Sequence, residues 1–259
     1  MTLDSGSLDG VKVAILAATV STVGLASVVF IGDWGRRHSP NFSAFAVGFL
    51  LVAIFFHLIP ESFSLAGQQA GGNPWDAAFW IGGGAFVVAF ISLTFGQMSR
   101  KRVNGRDVAI GYASILALAA HSFIDGLAYE TTFRQDPVTG FLATFGLLLH
   151  EIPEAVIAYF LVRDTGMPKY IAALWAFLAA SVTTVIGAVL IAFVWPGTNL
   201  DMAAMIGLAA GGLLYITIFH LGWHARLAAK GQGYFYASIG VAISLAAVIL
   251  TEIFGNRGH

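Results

Sequence analysis

Two short stretches carry side chains able to hold a metal cation. In AHSFIDGLA they are His121, Ser122 and Asp125; in LHEIPEAVIAY they are His150, Glu151 and Glu154. Residues four apart share a helix face, so His121 points with Asp125, and His150 with Glu154. Ser122 and Glu151 lie beside the two histidines. Together they offer two imidazoles, three carboxylates and a hydroxyl. A mixed nitrogen and oxygen set suits zinc, iron(II), manganese or cadmium better than sodium or calcium. It exceeds the four ligands of one tetrahedral zinc, so there is room for two adjacent ions, with Glu154 or Asp125 bridging.

Both stretches interrupt long apolar runs, Val108–Glu130 and Phe141–Val162. An ionised carboxylate at mid-bilayer costs about 2.5–3.5 kcal/mol on insertion scales. Such groups make sense facing inward around a shared dication, in which case the empty site holds protons that the metal displaces. A buried network of His–carboxylate pairs is the plainer alternative. Pro153 breaks one backbone bond of its helix, and either lines a cavity or only kinks it. Gly126, after Asp125, lets a neighbouring helix or the metal approach.

The rest of the chain positions these runs. Of 259 residues, 58% are hydrophobic and only 10% charged, and the mean hydropathy is +0.80. A soluble domain averages about 25% charged residues, so the class is an all-α polytopic membrane protein. There is no cysteine, which excludes disulfides and thiolate ligands. The acidic first residues, MTLDSGSLDG, lack a basic leader, so the first apolar run is expected to remain as a spanning helix. Eight spans are predicted: Val11–Ile31, Ser43–Leu65, Ala77–Met98, Val108–Glu130, Phe141–Val162, Tyr170–Val194, Asp201–Trp223 and Tyr234–Phe254. The links are short, which implies one transmembrane domain over residues 1–259.

Basic residues concentrate on cytoplasmic links. Links one, three, five and seven hold Arg36, Arg37, Arg100, Lys101, Arg102, Arg106, Arg163, Lys169, Arg226 and Lys230; the even links hold only Arg134. This places the odd links in the cytoplasm, with both termini outside, in a cytoplasmic membrane. An internal repeat is also present. Ala46–Glu61, AVGFLLVAIFFHLIPE, aligns without gaps on Ala209–His224, AAGGLLYITIFHLGWH, sharing Phe-His-Leu. The two spans run in opposite directions, the pattern of an inverted repeat. Spans one to three and six to eight are then the related halves around spans four and five. Two pairs near helix ends, His57 with Glu61 and His220 with His224, are read as entrance and exit relays, or else as interfacial caps touching water.

HSFIDG, HEIPE, HLIPE and AGGLLY together resemble the motifs of the ZIP family of divalent-metal transporters, and the resemblance covers nearly the whole chain. It implies uptake of zinc, iron or manganese into the cytoplasm through a binuclear site, by an elevator-like motion and often as a homodimer. Its ligands map onto His121, Ser122, Asp125, Glu151 and Glu154, with His150 at the first position of the second motif. The chain departs from the pattern at Thr184, where the family has a glutamate, and at His220 and Trp223-His224. One well-formed and one weak metal position are expected. No nucleic-acid partner is indicated; the partners are the bilayer and the metal. The rival reading is an intramembrane zinc hydrolase or protease, because HEIPE approaches the HExxH pattern. Against it, Glu154 stands where that motif needs histidine, and Pro153 interrupts the helix.

Overall fold

Backbone polar groups find no partner in lipid, so a chain this apolar satisfies them within helices. The computed structural model describes residues 5–31, 38–69, 71–98, 105–135, 137–163, 165–194, 201–229 and 231–255, and they are helical almost throughout. Consecutive segments join into α1 (Ser5–Ile31), α2 (residues 39–68), α3 (Asp76–Met98), α4 (Gly105–Gln135), α5 (Pro137–Arg163), α6 (residues 169–194), α7 (residues 202–225) and α8 (Gln232–Gly255). Each predicted span falls on one rod. Several rods run beyond the predicted ends, because flanking polar turns continue the helix past its apolar stretch. Among the described residues, six segments are long and apolar enough to cross a membrane: Asp9–Phe30, Pro40–Gln68, Asp76–Thr94, Lys169–Val194, Met202–Ala225 and Gln232–Leu250. α4 and α5, with 31 and 27 residues, carry the ionisable clusters. Of the basic residues used for orientation, Arg36, Arg37, Arg100, Lys101, Arg102 and Lys230 lie outside the described residues.

The packing is inverted relative to a soluble protein. Phe30, Phe79 and Phe86 face outward, whereas Ala14, Ala17, Ala176, Ala180 and Ala210 are wholly buried. Helices in hydrocarbon gain nothing from hiding large apolar groups from one another, so small residues that permit close approach line their contacts.

The helices form two quartets. In the first, α2 packs along α8, α3 along α7, and α2 against α7; in the second, α1, α4, α5 and α6 pack on one another. The quartets meet where α3 and α7 touch α4, and where α2 and α8 touch α5.

The first quartet bears the internal repeat. A Cβ on Gly48 would overlap the Ala237 carbonyl, and one on Gly240 the Phe45 carbonyl. Across the other contact, a Cβ on Gly211 would overlap the Ile81 carbonyl, and one on Gly84 the Leu208 carbonyl. Gly48 aligns with Gly211 and Phe45 with Leu208, so the α7–α3 crossing repeats the α2–α8 crossing. Each repeated helix also contains a π turn, Ile54–Leu58 and Thr217–Leu221, at matching positions and ending on His-Leu. Single π turns of this kind are frequent at functional sites.

Candidate metal centre

α4 presents His121, Asp125 and Tyr129 at successive turns, all buried. His121 Nε2 lies 3.5 Å from Asp125 Oδ2. α5 brings Glu154 to the same level. One donor atom from each of His121, Asp125 and Glu154 lies within 4.8 Å of the others. Zinc with bonds near 2.1 Å spaces tetrahedral donors about 3.4 Å apart, so modest side-chain closure would seat an ion.

Ser122 braces this trio. Its hydroxyl donates to Glu154 Oε1 at 2.7 Å, with the Leu118 carbonyl at 3.1 Å. Glu154 Oε2 is buried without a hydrogen-bond partner. A buried, unpaired carboxylate oxygen is costly, and a cation supplies the missing partner. The donor set therefore fits a dication.

The other expected ligands stand differently. The Glu151 carboxylate lies outside the trio, with Oε1 3.4 Å from the Tyr129 hydroxyl. The Glu151 backbone carbonyl accepts from the Ser21 hydroxyl of α1 at 3.3 Å. His150 belongs to α5, but its side chain lies outside the described residues. α5 continues as a helix through Pro153. Thr184 of α6 is buried, and its hydroxyl donates back to the Ala180 carbonyl at 3.1 Å. A Cβ on Gly126 would overlap the Thr184 carbonyl, and one on Gly187 the Phe123 carbonyl. α6 thus lies backbone to backbone on α4 beside Asp125, without bringing a carboxylate from position 184.

A cavity of about 30 Å³ adjoins the trio across the boundary between the quartets. Its lining includes His121 and Glu154 on one side, and His57, Leu58 and Phe49 of α2 with Leu213 of α7 on the other. That is room for about one water or ion. His57 Nε2 lies 3.6 Å from Glu61 Oε2, and both side chains are partly exposed. His220 is buried, with its ring 5.0 Å from that of His224. His57 thus joins the trio's cavity, while the His220–His224 pair does not line it. A larger hollow of about 370 Å³, beside Arg226 and Tyr234, has none of these ligands in its lining.

Sequence reasoning missed Tyr129. The signal is its place eight residues after His121, on the same stripe. The hydrolase reading finds no support, since Glu154, in the fifth position of HEIPE, is one of the clustered donors.

The ZIP Zinc transporter family model matches residues 96–243, a stretch that contains α4 and α5. Zinc transporter ZIP13 of Pongo abelii is 26% identical over 200 residues, covering 72% of this chain and 58% of that protein. Zinc transporter SLC39A7 of Canis lupus familiaris is 36% identical over 74 residues, 28% of this chain and 16% of that protein. The ZIP13 homolog of Drosophila melanogaster is 24% identical over 237 residues, 68% of this chain and 66% of that protein. The chain therefore spans only part of the length of each of these relatives. With more than half of its residues matched to the family model, and the clustered donors inside that match, the chain belongs to the ZIP zinc transporter family.

Proposed function

We propose that this protein carries a divalent transition-metal cation across the cytoplasmic membrane into the cell by alternating access. Zinc is the first expectation, as the relatives' names suggest, with iron, manganese and cadmium as the other candidates. The observation that carries the reading is the trio itself. His121, Asp125 and Glu154, two acids and an imidazole, share one buried point at the boundary between the quartets. Intramembrane ionisable groups in such a place mark an ion pathway.

In this reading His121, Asp125 and Glu154 bind the ion, and Ser122 aims Glu154. His150 and Glu151 are further ligands available on loading. His57 and Glu61 pass the ion in from outside, and His220 and His224 receive it toward the cytoplasm. Both termini lie outside, the odd links inside, and residues 1–259 act as one domain. Relative movement of the two quartets exposes the trio to each side in turn. Assembly as a homodimer is part of the proposal and rests on the family alone. The protein acts as a carrier, not an enzyme.

The test is flux through the purified protein in liposomes loaded with a metal-sensitive dye. Zinc enters with the wild type and does not enter with Asp125→Ala or Glu154→Ala. No flux of zinc, cadmium, iron or manganese with the wild type overturns the reading.

A further inference from the structure

We infer that Tyr129 is a positioning residue for the metal site: it holds the Glu151 carboxylate away from the trio, so that an arriving ion meets the carboxylates of Asp125 and Glu154, with His121, before that of Glu151. The inference rests on the metal reading above and goes beyond it, since it assigns one ligand to a reserve position and names what keeps it there.

The geometry follows from two antiparallel neighbours. α4 and α5 are joined across a single residue, so successive turns of one face successive turns of the other in reverse order. His121 and Asp125 meet Glu154; one step further along, Tyr129 meets Glu151 at 3.4 Å. Three residues of helix rise about 4.5 Å, a distance that a glutamate side chain spans by changing rotamer. Glu151 is thus near enough to join the ion and is turned to another partner.

Both members of that contact are anchored. Tyr129 is wholly buried among Ala14 and Ala17 of α1 and Ala188 of α6, with Leu148, Val11 and Val13 packed around them. Those alanines leave the space that a phenol ring fills. The Glu151 backbone is clasped by Ser21 through its carbonyl. A phenylalanine would fill the same pocket, so packing alone does not call for the hydroxyl. What the hydroxyl adds is a donor 3.4 Å from the Glu151 carboxylate, in surroundings of low dielectric where polar contacts count for more than in water.

The consequence is a site with fewer negative ligands than the chain could supply. An ion in transit needs binding favourable enough to enter and weak enough to leave. A third carboxylate on the ion would hold it longer.

The experiment compares full-length wild type, Tyr129→Phe, Glu151→Gln and the double variant. Each is titrated with Zn²⁺ by calorimetry in detergent, then assayed for zinc flux in liposomes. Tyr129→Phe is expected to bind Zn²⁺ about tenfold more tightly, the scale of one hydrogen bond to a charged group, with KM and maximal flux both reduced. In the Glu151→Gln background the same substitution is expected to change none of affinity, KM and maximal flux. A Tyr129→Phe protein that binds like the wild type or more weakly, or that gains affinity equally in the Glu151→Gln background, overturns the inference while leaving the metal site standing. A wild type that binds no Zn²⁺ removes the metal reading, and the role of Tyr129 with it.

Discussion

The Ser122 hydroxyl of α4 donates to Glu154 Oε1 of α5 at 2.7 Å, so the two helices that supply the trio are fastened at the trio itself. Groups that orient a ligand typically alter metal affinity 10- to 100-fold when removed. Ser122→Ala should weaken Zn²⁺ binding about tenfold, read by calorimetry. Ser122→Asn keeps a donor at that position and should retain most of the affinity.

Asp125 and Glu154 are buried carboxylates within 4.8 Å of each other and of His121. Removing a buried charge relieves its desolvation. Asp125→Asn and Glu154→Gln should therefore melt, without metal, at or above the wild-type Tm. A ligand at a hundred times its Kd adds about 2.7 kcal/mol to stability, so zinc should raise the Tm of the wild type but not of these variants. Thermal shift with and without zinc is the measurement.

Carboxylates and imidazoles bind a metal only when deprotonated. Zinc binding should release protons, and affinity should fall as the pH falls, since protons and zinc compete for His121, Asp125 and Glu154. Calorimetry in two buffers of different ionisation enthalpy counts the protons; equal heats in both would contradict this.

Gly48 and Gly211 occupy matching backbone-to-backbone crossings. Overpacking a close contact costs about 1–3 kcal/mol. Gly48→Val and Gly211→Val should lower the Tm by similar amounts. A Cβ on Gly82 meets nothing within 4 Å, so Gly82→Ala should leave the Tm unchanged or higher.

Much of the centre is legible in the sequence, because helical spacing alone places His121 with Asp125 on one face. The convergence of Glu154 with them follows from two short-linked helices carrying ionisable groups at similar depth. Glu151 shows where such reasoning stops. Its position beside His150 does not say which way its carboxylate turns, and the deciding partner, Tyr129, reads in sequence as one more aromatic in an apolar run. The repeat is visible in Phe-His-Leu for α2 and α7. The correspondence of α3 with α8 follows there only from the order of the spans, because Ile81 with Ala237 and Gly84 with Gly240 are matches among residues common in any membrane segment. The π turns are equally hidden, since nothing in IFFHL or TIFHL departs from ordinary helical composition.

The glycine crossings say where this molecule can yield. Gly48, Gly84, Gly211 and Gly240 interlock α2 with α8 and α3 with α7, while Gly126 and Gly187 interlock α4 with α6. Ser62 donates to the Ala203 carbonyl within the first quartet, and Ser21 and Ser122 donate within the second. Each quartet is thereby stitched through its main chain, and where Gly212 of α7 nears Ala117 of α4 the approach is ordinary side-chain contact. In the proposed cycle that seam is where one quartet would slide past the other, with His121, Asp125 and Glu154 carried on the face of one of them.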